Sequence, residues 1–297
     1  MRPLAIRINK GVLVPSGVRS ALSLAQKRIK QLSKEEFVNE ELYEASTHLL
    51  KSPGKMVRPG LVFSSALLLG EDPKEYVDLA VAIELLHTAS LIHDDILDMD
   101  SIRRSREAVH IKFGTEKAIL AGDALIAKAI QLASAYGPIA VRRASEASMD
   151  MCAGETIDIM VQSKQVSLDL NSYLKIAQLK TASLMGVSAS VVADCISSGE
   201  RQALYEIGMN MGYSFQLRDD IMNHLGINEE SRKSTTSDSS RSRPNIVSVF
   251  EAHGKDSPVK TAIKLNNFYI ERAIGLLNDL RNGGMFKAYL DFLKIDE

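Results

Sequence analysis

The stretch ELLHTASLIHDDILDMDSIRR, residues 84–104, decides how the rest of the chain is read. Leu85, Leu86, Leu91, Ile92, Ile96 and Leu97 give it the apolar content of a helix buried in a core. Yet it carries Asp94, Asp95, Asp98 and Asp100 and ends in Arg103 and Arg104. On a helix, side chains four residues apart share a face at roughly 6 Å, so Asp94 and Asp98 project together while Asp95 turns aside. Unpaired carboxylates on a core-type helix are expensive. A divalent cation offsets their repulsion.

A second stretch, SFQLRDDIMNHLG (214–226), repeats the arrangement: Asp219 and Asp220 are flanked by Phe215, Leu217, Ile221 and Met222, with Gln216 one turn earlier. Asn223 stands in the place of a further aspartate. Carboxylates without a Cys/His ligand set suit a hard, oxygen-seeking ion, and Mg²⁺ typically takes one or two carboxylates plus substrate phosphates. Two acidic helices facing across a cavity would clamp such ions on a diphosphate. Guanidinium forks and ammonium groups should then surround the phosphate oxygens. Candidates are Arg103 and Arg104, Lys55 and Arg58 in GKMVRP (54–59), and Lys180 beside Thr181 in LKTASLMG (179–186).

The remainder of the chain reads as helix. Apolar residues recur at spacings of three and four in 79–91, 118–132, 173–192 and 204–217, and Ala, Leu, Ile, Met, Lys and Glu dominate. SPGK (52–55), LGEDP (69–73), YGP (136–138) and SSGE (197–200) read as turns between long helices. None resembles a domain linker, so the expectation is one all-α domain over residues 1–297, with 1–16 as an irregular lead-in strand or loop. Residues 228–244, NEESRKSTTSDSSRSRP, are polar and serine-rich; composition alone makes them a mobile surface loop. His93 reads as a packed or hydrogen-bonded side chain, and Met151, Cys152 and Met160 read as core.

Of 297 residues, 45% are hydrophobic, enough for a substantial core. Thirty-six Lys and Arg against 37 Asp and Glu leave a net charge of -1, so no global basic field recruits nucleic acid or anionic lipid. The longest uninterrupted apolar runs fall short of the ~20 residues that span a bilayer. Arg7 and Lys10 interrupt the N-terminal apolar stretch, which makes a poor signal peptide. Two isolated cysteines, Cys152 and Cys195, suit a reducing compartment, and a cytoplasmic location is the expectation.

Taken in order, GKMVRP, ELLHTASLIHDDILDMDSIRR, GDALIAKAIQLAS, AGETIDI, LKTASLMG and FQLRDDIMN resemble the trans-isoprenyl diphosphate synthases, the polyprenyl synthetase family. The resemblance runs over roughly residues 55–245. It implies a bundle of long helices around a deep central cavity, usually a homodimer, that condenses isopentenyl diphosphate with an allylic diphosphate. By the same resemblance Asp94, Asp98 and Asp219 would ligate Mg²⁺, up to three ions with substrate bound, and Asp220 would support Asp219. Lys55, Arg58, His87 and Arg104 match the isopentenyl diphosphate pocket. Arg103, Lys180 and Lys233 match residues that bind the allylic diphosphate, and Arg243 falls on a further family lysine. Thr181 and Gln216 match neighbours of the reacting carbon.

Departures accompany the matches. Asn223 ends the second acidic motif where the family has aspartate, and RRSREAVH (103–110) puts Ser105, Glu107 and Ala108 where the family has RRG.PT, although His110 remains. An ungapped match of the polar loop puts Lys233 and Arg243 on family lysines, which makes 228–244 an active-site lid. Product length is set by what lies below Asp94: in the family a bulky aromatic four or five residues earlier stops growth, and here Ala89 and Ser90 leave that floor open, with Leu86 and then Ile83 as the next stops. The expectation is a trans-polyprenyl diphosphate of C20 or longer. Alternatives are a partner-dependent or weakly active subunit of a heteromeric synthase and, further off, a class I terpene cyclase, whose second metal motif carries a Ser or Thr and a later Glu.

Overall fold

The apolar residues that recur every three or four positions form one face of each helix, and those faces meet in the interior. The computed structural model describes residues 7–8, 14–52, 54–227 and 245–296. In chain order the helices are α1 (Ser16–Lys30), α2 (Glu40–Thr47), α3 (Val57–Leu68), α4 (Val77–Leu97), α5 (Val109–Phe113), α6 (Thr115–Ser134) and α7 (Pro138–Gln162). There follow α8 (Leu170–Ile176), α9 (Ser183–Cys195), α10 (Arg201–His224), α11 (Ile246–Ala252), α12 (Pro258–Asn278) and α13 (Lys287–Leu293). The four apolar-periodic runs all lie within helices, so the all-α expectation holds. One of them, 173–192, is interrupted by a turn of π-helix, Ala177–Ala182, joining α8 to α9. Among the described residues the strands are two short antiparallel pairs: β1 (Arg7–Ile8) with β4 (Ile295–Asp296), and β2 (Ile102–Arg103) with β3 (Arg106–Glu107).

Small residues let the central helices approach closely. On α6, Ala118, Ala121, Gly122, Leu125, Ala129, Leu132 and Ala133 are buried, and they pack against Leu79, Ile83, Leu86 and Ile92 of α4 in the main core. A second cluster, with Leu61, Met185, Met211, Phe286 and Tyr289, locks α3, α9, α10 and α13 together. Side-chain caps end the helices where the sequence turns: Asn39 Oδ1 accepts from Leu42 N at α2, and Asp169 Oδ1 accepts from Ser172 N at α8.

Counted as helices rather than as unbroken apolar runs, two stretches, Pro73–Leu97 and Leu170–Cys195, are long and apolar enough to cross a membrane. Buried inside the bundle are 67% and 89% of their apolar windows, so they are its core helices. Cys152 departs from the core expectation: α7 turns its thiol outward, while Met151 packs partly against the core and Met160 is half-buried. The predicted lid residues Lys233 and Arg243, with all of 228–244, lie outside the described residues.

Candidate active site

A cavity of about 620 Å³ opens between α4, α10, the π-turn and the loop before α3. Its wall includes Lys55, Arg58, Glu84, His87, Ser90, Leu91, Asp94, Arg103, Arg104, Lys180, Thr181, Phe215, Gln216 and Asp219. Thus most of the sequence-predicted site residues, drawn from four separate segments, meet at one place. On α4 the residues 84, 87, 91 and 94 recur at helical spacing, so one face of a core helix lines the cavity. Asp98 sits one turn beyond Asp94 at the helix end and is absent from this wall. Ala89 and Leu86 point into the core cluster beneath it, whereas Ser90 lines the cavity. Asn223 is exposed on α10, outside the wall.

Arg103 and Arg104 are each backed by a buried acid. Arg103 Nε donates to Asp95 Oδ1 at 2.7 Å, and its Nη2 donates to Asp100 Oδ2 at 3.2 Å. Asp95 therefore turns aside from Asp94 in order to hold an arginine. Burial pulls the Arg103 guanidinium down, but Asp95 and Asp100 outweigh it and leave its pKa above the ordinary value. Arg104 Nη2 donates to Glu84 Oε1 at 3.2 Å. A Cβ at Gly54 would lie 3.3 Å from Arg104 Nη2, so the guanidinium rests against bare backbone. Arg104 and Ser105 form the turn between β2 and β3 with φ of 50° and 59°, a left-handed conformation that favours glycine and costs other residues on the order of 1 kcal/mol each.

Arg58 is buried, and its Nε has no hydrogen-bond partner among the described residues. Burial lowers its pKa to about 10, with Glu84 pulling the other way and Arg104 adding to the fall. His87 is held well below its usual value by burial and by Arg58, Arg104 and Arg103, so its imidazole is neutral. Phe292 of α13 packs beside these cations: Lys55 Nζ lies 5.2 Å from the ring centroid and the Arg218 guanidinium carbon 4.3 Å.

Lys180, on the π-turn, forms ion pairs with Glu155 and with Asp158 at 3.0 Å, both on α7, and lies 4.0 Å from Asp94 Oδ2. These carboxylates outweigh burial and raise its pKa. Burial and Asp94 push Glu155 up to about 7; burial, with Asp98 adding to it, raises Asp94. Three carboxyls, those of Asp94, Glu155 and Asp158, thus share one ammonium. That strain is what a divalent cation relieves, so the donor chemistry fits Mg²⁺. Among the described residues no group of three or more His, Cys, Asp or Glu side chains is placed to hold a metal ion by itself. Asp94, Asp98 and Asp219 would therefore need substrate oxygens to complete a coordination shell.

Glu84, Glu155 and Asp158 support the site's basic groups and carried no role in the sequence. Glu155 and Asp158 lie three apart in AGETIDI, the same one-face spacing argument that singled out Asp94 and Asp98.

The polyprenyl synthetase family model matches residues 39–273. The chain belongs to the polyprenyl synthetase family. Among the relatives of this prenyltransferase, a geranylgeranyl pyrophosphate synthase from Geoglobus acetivorans is 35% identical over 217 residues, covering 70% of this chain and 67% of the relative. A geranylfarnesyl diphosphate synthase from Aeropyrum pernix is 33% identical over 226 residues, covering 71% and 70%. The solved geranylgeranyl pyrophosphate synthetase of Geoglobus acetivorans superposes with a TM-score of 0.77 at 28% identity, over 93% of this chain and 99% of that one. The all-α polyprenyl synthetase fold and the prenyltransferase class follow from these matches.

Proposed function

We propose that this enzyme joins isopentenyl diphosphate to an allylic diphosphate in a Mg²⁺-dependent reaction and releases a trans-polyprenyl diphosphate of C20 or longer. The observation that carries the reading is the pairing, in one cavity, of Asp94 and Asp219 with two separate basic clusters. Arg58, Arg104 and Lys55, with neutral His87, form one cluster and suit the isopentenyl diphosphate. Arg103 and Lys180 form the other and suit the allylic diphosphate, with Lys233 and Arg243 proposed to join them.

Asp94, Asp98 and Asp219 would hold the Mg²⁺ ions, up to three, which supply charge neutralisation for the departing diphosphate. The chain's own groups do the rest. Arg103 and Lys180, held in place by Asp95, Asp100, Glu155 and Asp158, stabilise the negative charge that builds as the allylic C–O bond breaks. Thr181 and Gln216 present oxygens to the allylic cation, steadying it without capturing it. The isopentenyl double bond attacks, the new C–C bond forms, and the adduct loses a proton to the released diphosphate. Because the released diphosphate takes that proton, no dedicated side-chain base is assigned.

Chain growth would pass Ser90 and Ala89, which are small, towards Leu86. Exposed apolar residues on the outer faces of α6 and α7, among them Leu120 (59% exposed) and Met149 (71%), support a homodimer formed through this face. We also place its work in the cytoplasm, as one catalytic domain. Purified protein given Mg²⁺, isopentenyl diphosphate and an allylic diphosphate should release one pyrophosphate per condensation and lose that activity in excess chelator. No release with any allylic primer would overturn the reading.

A further inference from the structure

Asp219 and Asp220 are neighbours in sequence, but their surroundings differ. Asp219 lines the cavity; Asp220 is buried behind it. Three donors converge on the Asp220 carboxylate. Gln216 Nε2 donates to Oδ1 at 3.0 Å, while the Tyr173 hydroxyl at 2.8 Å and the Ile246 backbone N–H at 3.0 Å both donate to Oδ2. The Gln216 amide is held at its other end too, because Thr181 Oγ1 donates to Gln216 Oε1 at 2.9 Å. Thr181 and Gln216 line the cavity, and Tyr173 and Asp220 do not.

This arrangement gives Gln216 one orientation. The NH₂ end of the amide faces Asp220 Oδ1, since Oδ2 is taken by Tyr173 and Ile246, and the carbonyl end faces Thr181 and the cavity wall. We infer that Asp220 is a positioning residue that fixes the Gln216 amide with its oxygen, rather than its NH₂, towards the reacting carbon. The inference rests on the proposed prenyl transfer. A carbonyl oxygen brings partial negative charge to a developing cation, whereas a reversed amide brings two N–H dipoles of the wrong sign.

The Ile246 N–H makes this testable. It is backbone and cannot become an acceptor, so in Asp220→Asn the new amide must keep its oxygen towards Ile246 and Tyr173. Its NH₂ then points at Gln216, which has to reverse in order to accept. D220N is therefore expected to lower kcat by about ten- to a hundredfold, the range of a misdirected dipole, with KM for each diphosphate within about twofold, because Gln216 is assigned to the reacting carbon and not to phosphate. Tyr173→Phe leaves the Gln216 bond in place and should retain kcat within about threefold.

A double-mutant cycle separates positioning from a structural role. In a Gln216→Leu background there is no amide to orient, so adding D220N should cause no further loss. If D220N does not fold, Asp220→Glu carries the same cycle: whatever it costs in the wild type must vanish in Q216L. The inference is overturned by wild-type kcat in D220N, by a D220N loss of equal size with and without Gln216, or by a Y173F loss as large as that of D220N. An inactive wild-type protein would instead sink the proposed reaction, so the two failures are distinguishable.

Discussion

Gly212 on α10 is where the two walls of the site touch. A Cβ built there would lie 2.4 Å from Ala182 Cα and 2.8 Å from Ala182 Cβ. Carbon contacts settle at about 3.5–4.0 Å, so Gly212→Ala must push α10 away from the π-turn by roughly 1 Å. Gln216 lies one turn after Gly212, and Thr181 precedes Ala182; their 2.9 Å hydrogen bond would open well beyond the bonding range. A misplacement of about 1 Å at reacting groups costs on the order of a hundredfold in rate. The stability change is far smaller: overpacking costs about 1–3 kcal/mol, and alanine returns about 1 kcal/mol of helix propensity relative to glycine. Kinetics of pyrophosphate release and thermal unfolding followed by circular dichroism read the two effects separately. As a control, a Cβ at Gly275 on α12 meets nothing within 4 Å, so G275A should be as stable or more so, with unchanged kcat. If G212A keeps kcat within about threefold of wild type, close contact between α10 and the π-turn does not set the geometry.

Three further outcomes are expected. Glu84→Gln removes the buried acid between Arg104 and Arg58 and should raise KM for isopentenyl diphosphate by about tenfold or more, while KM for the allylic substrate stays within about twofold; equal rises would contradict two separate basic clusters. Glu155 has its pKa raised from 4.5 to about 7, so its protonated form favours the folded state. That contribution is full below about pH 4.5 and lost as pH rises through about 7. Without metal, the wild type should therefore lose Tm relative to Glu155→Gln between pH 5 and 8; a constant difference would show that the carboxyl is not strained. Ala89→Phe should shorten the product seen by mass spectrometry, and an unchanged product would place the growing tail elsewhere.

The fold class was legible because helical periodicity and turn residues repeat along the whole chain. The acidic and basic residues were legible because carboxylates and guanidiniums on apolar helices have few inexpensive explanations. The sequence left two kinds of information out. Arg103 and Arg104 face one cavity, but that each leans on a buried acid depends on the tight β2–β3 turn, which uses left-handed Arg104 and Ser105 where glycine would be expected. The π-turn at 177–182 also leaves no local mark, since its extra residue is accommodated by packing against Gly154 and Gly212 rather than by propensity. From its place beside Asp219, Asp220 reads only as a support; successive helix positions point about 100° apart, which puts its carboxylate among Tyr173, Gln216 and Ile246.

This chain, unaided, should condense isopentenyl diphosphate with an allylic diphosphate. Mass spectrometry of the products formed by the purified protein with Mg²⁺, isopentenyl diphosphate and farnesyl diphosphate tests it most directly. The expected products are prenyl diphosphates of C20 or longer, absent from Asp94→Asn; recovery of unextended farnesyl diphosphate, with the same result from shorter primers, would refute the condensation.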